Sequence, residues 1–152
     1  MKNLILIMTI LFFLVVNVNA QGNISISQPQ NGTRVPQFPN TIKVTVNNGI
    51  PAGQCIVVFV QDPNKNWWPY LNVNPILGTN SWGVNEVQYG MPIDRGRQFN
   101  IRAIIMSSTV QTNGLNISTN QDGSIRLSNF ATFINGINAN NYSAIVSVTR
   151  EL

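Results

Sequence analysis

The sequence predicts an all-β protein, an antiparallel sandwich of about seven strands with one short helix before the last strand. Three observations lead there. Several short segments alternate apolar and polar residues with period two, as half-buried strands do. Turn signals separate them at short intervals: Asn31-Gly32, Asn48-Gly49, Asp62-Pro63, Gly78, Gly90-Met91-Pro92 and Asp94-Arg95-Gly96. A single segment departs to helical spacing.

In chain order, "NISISQP" sets Ile24 and Ile26 between serines. "TIKVTVNN" puts Ile42, Val44 and Val46 on one face and Lys43, Thr45 and Asn47 on the other. "QCIVVFVQ" is apolar on both faces, which requires a central strand covered on both sides. "SWGVNEVQY" carries Trp82 and Val84 in one phase and Val87 and Tyr89 in the other, a slip that predicts a bulge near Asn85-Glu86. Trp82, which begins that alternation, is expected in the core. "QFNIRAII" aligns Phe99, Ile101, Ala103 and Ile105, and "YSAIVSVTR" aligns Tyr142, Ala144, Val146 and Val148. "DGSIRLSNFATFINGI" instead repeats apolar residues at Leu127, Phe130, Ala131 and Ile134, with Gly136 as a C-terminal stop. This is the expected short helix. The stretch 107–121 before it is polar and reads as loop.

The N-terminus predicts secretion. Lys2 precedes the apolar run "LILIMTILFFLVV", and Val18 and Ala20 supply small residues at −3 and −1 of a cleavage site after Ala20. The run is too short for the roughly 20 residues of a membrane span. The expected organisation is a signal peptide at 1–20 and a single sandwich domain at 21–152. Without Lys2, eight basic and five acidic residues remain, and the positive charges are scattered apart from Arg95 and Arg97. A nucleic-acid surface would cluster them, so no nucleic-acid partner is expected.

Secretion makes four sequons plausible N-glycan acceptors, at Asn23, Asn31, Asn116 and Asn141. The chain holds 23 asparagines, so some sequons arise by composition alone; Asn31 and Asn116 lie in the most loop-like sequence. The lone Cys55 excludes an internal disulfide. It reads as a buried small hydrophobe, or as the link of a disulfide-joined homo-oligomer.

Catalytic chemistry finds little support. With no histidine and one cysteine, a zinc site or an activated thiol lacks its parts. The acids Asp62, Glu86, Asp94, Asp122 and Glu151 form no dyad by spacing, and Asp62 and Asp94 occupy turns, where aspartate bonds its own backbone. No enzyme activity, metal or cofactor is expected.

The order of motifs resembles the immunoglobulin-like modules found on secreted and surface proteins, mostly bacterial. "ISISQPQNGTRV" is similar to their opening strand. "IVVFVQDPNKNWWPY" resembles their apolar strand followed by a turn, a tryptophan and a proline. "SWGVNEVQYG", "DRGRQFNIRAI" and the closing "SVTR" follow in the family's order. The resemblance runs from Ile24 to Arg150 and implies an immunoglobulin-like β-sandwich with an extracellular binding or adhesive role. It supplies no catalytic residues.

The doubled tryptophan of "NKNWWPY" is the chain's most distinctive feature. Neighbours in a strand point to opposite faces, so Trp67 and Trp68 cannot enter one core. Pro69 cannot donate to a ladder, which places the segment at a sheet edge. Two readings follow. In one, Trp67 plugs a layer while Trp68 and Tyr70 cover a sheet edge. In the other, Trp68 and Tyr70 form an exposed two-ring platform with Asn64, Asn66, Asn72 and Asn74 at its rim, suited to a carbohydrate or a cell-surface protein. The functional expectation is a secreted glycoprotein acting as a non-catalytic cell-adhesion or binding module at the cell surface. The alternative is a structural protein that self-associates through exposed strand edges and Cys55.

Overall fold

The computed structural model describes residues 23–117 and 119–152. The expected signal peptide lies outside the described residues, as does Ser118, the third residue of the Asn116 sequon.

The fold is all-β, with two sheets around a shared core. One sheet contains β1 (Ile24–Gln28), β3 (Asn40–Val46), β6 (Asn74–Ile76) and β7 (Ser81–Val87), in the order β1-β3-β7-β6. The other contains β2 (Arg34–Val35), β4 (Gln54–Gln61), β5 (Trp67–Tyr70), β8 (Gln98–Ser107) and β9 (Val146–Arg150), in the order β2-β9-β8-β4-β5. The expectation of about seven antiparallel strands needs two corrections. The two- and three-residue strands β2 and β6 are too short to show alternation. β2 also pairs parallel to β9, with Arg34 opposite Thr149, so the second sheet is mixed.

The alternating segments of β3 and β8 bury the faces their patterns require, whereas in "YSAIVSVTR" only Val146 and Val148 reach the shared core: β9 begins at Val146, Ala144 is exposed and Tyr142 packs in the outer cluster. Ile42, Val44, Val46, Val84 and Val87 from the first sheet meet Ile56, Val58, Val60, Phe99, Ile101, Ala103 and Val148 from the second. Each such Ile, Val or Phe side chain contributes about 1.5–3 kcal/mol on burial. The expected slip in β7 is real: Ile42 faces Val84 while Asn40 faces Val87, so β7 carries one extra residue, and Glu86 takes φ 59° there. Trp82 faces Val44 but is only half-buried, packed at the rim of the core rather than inside it.

β4 explains its two apolar faces. It pairs along its whole length with β8 and over its last half with β5. Ile56, Val58 and Val60 enter the core between the sheets, whereas Cys55, Val57 and Phe59 face the other way. That outer face is covered by the connection 108–145, which carries α1 (Val110–Asn113) and α2 (Leu127–Asn135). The expected helix therefore exists and acts as a third layer. Its buried face differs from the expected one. Phe130 is buried and Phe133, Ile134 and Ile137 pack beside it, while Leu127 is 48% exposed and Ala131 faces solvent. The stripe 130, 133, 134, 137 has the same helical period, and it sets two aromatic rings against β4 and β5.

Candidate functional site

The aromatic stretch lies on β5, the outer strand of its sheet, where Pro69 costs no ladder bond. Trp67 faces Gln61, Trp68 faces Val60 and Tyr70 faces Val58. Alternation splits the pair as the sequence requires. Trp67 turns outward and is 3% exposed, stacked on Phe130 with centroids 4.2 Å apart and planes 18° apart. Its backbone N–H donates to the Ile125 carbonyl and its carbonyl accepts from the Ile125 N–H, both at 2.8 Å. Trp67 thus pins the helical layer to the edge of the sheet, and its role is structural.

Trp68 and Tyr70 turn toward the inter-sheet side, and both are half-buried. The β4–β5 hairpin fixes Trp68 through one residue, Asp62. One carboxylate oxygen accepts the Asn66 backbone N–H at 2.9 Å, and the other accepts the Trp68 indole N–H at 3.2 Å. The turn closes with Asp62 N–H donating to Asn66 carbonyl and Lys65 N–H to Asp62 carbonyl, with Lys65 at φ 70°. The indole is thereby held in one orientation at the margin of the sandwich.

Tyr70 packs against the main core. Burial raises its phenol above the ordinary tyrosine range, while a hydrogen bond from the Gln88 backbone lowers it in part. Behind it, Tyr89 is fully buried with its hydroxyl unpaired among the described residues. Of the rim asparagines, Asn64 and Asn72 are exposed and Asn66 is half-buried.

The sequence reading missed Asp62 as the anchor of Trp68, and Gln88 and Tyr89 as the backing of Tyr70. The first was within reach, since a hairpin folded at Asp62-Pro63 returns residue 68 to residue 62. The second needs the pairing of two sheets.

Cys55 is 7% exposed and lies under the helical layer, its thiol donating to the Ser107 carbonyl at 3.7 Å. Burial raises its pKa. Burial under the helical layer disfavours the disulfide-joined homo-oligomer through Cys55 that the sequence left open. The sequon asparagines stand at the surface: Asn31 and Asn116 exposed, Asn23 and Asn141 half-buried. Among the described residues Asn31 uses only its side-chain carbonyl oxygen, which accepts from Ser147 N–H at 2.8 Å, and Asn23 likewise accepts from Asn48. Among the described residues no cluster of three metal-ligating side chains occurs, and no helix is long and apolar enough to cross a membrane.

No protein-family model matches this chain, and no curated protein matches it.

Proposed function

We propose that the chain is a secreted, N-glycosylated, non-catalytic immunoglobulin-like module that binds a glycan or a surface protein outside the cell. The strand order supports the fold half of this reading. β1-β3-β7-β6 corresponds to the A-B-E-D sheet of immunoglobulin domains, and β9-β8-β4-β5 to G-F-C with an added edge strand. Parallel pairing of β2 with β9 makes that sheet mixed without altering the order. The positions of the four sequon asparagines are compatible with glycans.

One observation carries the binding half: the partly exposed Trp68 indole, locked by Asp62 on an edge strand, with exposed Asn64 in the same hairpin turn. A pre-oriented aromatic loses little entropy on binding, and aromatics of this kind anchor recognition surfaces. The test is a glycan array and a cell-binding assay with the wild type, Trp68→Ala and Asp62→Asn. Binding lost in Trp68→Ala and weakened in Asp62→Asn, with melting unchanged in Trp68→Ala, supports the reading. Undiminished binding in Trp68→Ala, or its unfolding, removes the platform.

A further inference from the structure

A second surface lies on the opposite side of the same sheet. Arg102 of β8 faces Phe59 of β4, so it points outward, away from Trp68 and toward the layer that holds 108–145. Its guanidinium lies over the Tyr142 ring, 5.0 Å from the centroid. The residue is partly buried, its Nε is buried without a hydrogen-bond partner, and no acid pairs with it among the described residues. Arg97, by contrast, meets Asp94 at 3.1 Å. Burial lowers the pKa of Arg102, the direction expected for a cation that has lost water without gaining a counter-ion.

The neighbours are polar and ordered. In the adjacent outward row Ser147 Oγ donates to Asn100 Oδ1 at 2.7 Å, and Asn100 Nδ2 donates to Gln61 Oε1 at 2.8 Å. β9 pairs with β8 only as far as Ile101 and Val146. Beyond that point Ser143 replaces the ladder, its hydroxyl accepting the Ala103 N–H at 3.0 Å, and Ile145 is left 45% exposed. Arg102 therefore stands where the outer strand departs, with a hydroxyl and two amides in the adjacent row and the Tyr142 ring against its guanidinium.

We propose that Arg102 is the receptor for a carboxylate carried by an acidic sugar, with Asn100 and Ser147 beside it to meet sugar hydroxyls. A guanidinium presents two parallel N–H donors that match the two oxygens of a carboxylate. A single arginine balances one negative charge, which suits a uronic or sialic acid better than a doubly charged phosphate. Asn100 retains a second amide proton and Ser147 a free lone pair for neighbouring hydroxyls. Tyr142 supplies the apolar contact that a sugar ring face accepts. This site is separate from Trp68, so either can fail without the other.

The experiment is an NMR titration of the intact secreted domain with glucuronic acid and with N-acetylneuraminic acid. Glucose serves as the neutral control and sodium sulfate as the inorganic one. The expected result is saturable shifts of the Arg102 Nε–H and the Tyr142 ring with a sugar acid, and none with glucose. Arg102→Gln should abolish the shifts. Arg102→Lys keeps the charge but loses the paired donors and should weaken binding at least about tenfold; it also serves if the glutamine variant does not fold. Trp68→Ala should leave the titration unchanged. No shift with either acid, the same shifts in both Arg102 variants, or shifts with sulfate as large as with the sugar acids would each overturn the proposal.

Discussion

Trp67 and Phe130 stack at 4.2 Å between centroids, joining the edge strand to the helical layer. Phe59 adds a third ring, 5.1 Å from Phe130. The layer depends on this contact together with the two backbone bonds between Trp67 and Ile125. Trp67→Ala and Phe130→Ala should each cost about 3–5 kcal/mol in urea unfolding, as truncations of buried rings do. Their double variant should cost less than the sum, since the two share one contact. Trp68→Ala should shift melting by only a few degrees. Trp82→Ala, expected from the sequence to cost as much as a core tryptophan, should fall below Trp67→Ala because Trp82 is half-exposed.

The contrast between the two adjacent tryptophans shows what was legible. Period two in β3 and β8 predicts the faces that Ile42 and Ile101 bury, because strand alternation is local. The phase slip in β7 predicts the bulge at Glu86 for the same reason. The destination of Trp67 was not legible. Alternation shows that it opposes Trp68, but not that a helix more than fifty residues later lies beneath it. The inverse error occurred in α2, where Leu127 and Ala131 fit the helical period as well as Phe133 and Ile137, and packing against β4 chose between them.

Gly90 gives a sharp test of the turn before β8. It holds φ 68°, and a Cβ there would stand 2.5 Å from Asp94 Oδ2 and 2.7 Å from Phe99 Cζ. Asp94 cannot retreat easily, since it accepts the Met91 N–H at 2.8 Å and pairs with Arg97 at 3.1 Å. Gly49 also has positive φ, 73°, but nothing lies within 4 Å of its Cβ position. Gly49→Ala should cost about 1 kcal/mol from backbone strain alone. Gly90→Ala should cost clearly more, measured by the same denaturant titration. Equal losses would mean that the turn relaxes freely.

The position of Cys55 predicts an inert thiol. In native protein a thiol reagent should react slowly, with full reactivity only after unfolding, because burial both blocks access and disfavours the thiolate. Gels run with and without reductant should show the same monomer band. A reductant-sensitive dimer would revive self-association and require the helical layer to open.

Tyr89 predicts the response to alkali. Burial, aided by the nearby Tyr70 phenol, holds its ionisation far above the ordinary value of about 10. The unfolded chain loses that proton near pH 10 while the folded chain keeps it. The contribution to stability is therefore complete below about pH 10 and declines as pH rises through the folded pKa. Tyr70, also raised by burial, acts in the same sense. Urea midpoints should hold steady through neutral pH and fall above about pH 10, and Tyr89→Phe should flatten that fall. At neutral pH Tyr89→Phe should be neutral or stabilising by up to about 1 kcal/mol, because it removes a buried hydroxyl that has no partner. A tyrosinate absorbance titration should correspondingly show Tyr89 of the native protein still protonated at a pH where the unfolded chain has ionised. If Tyr89 ionises near pH 10 while the fold persists, the closed packing around it is wrong.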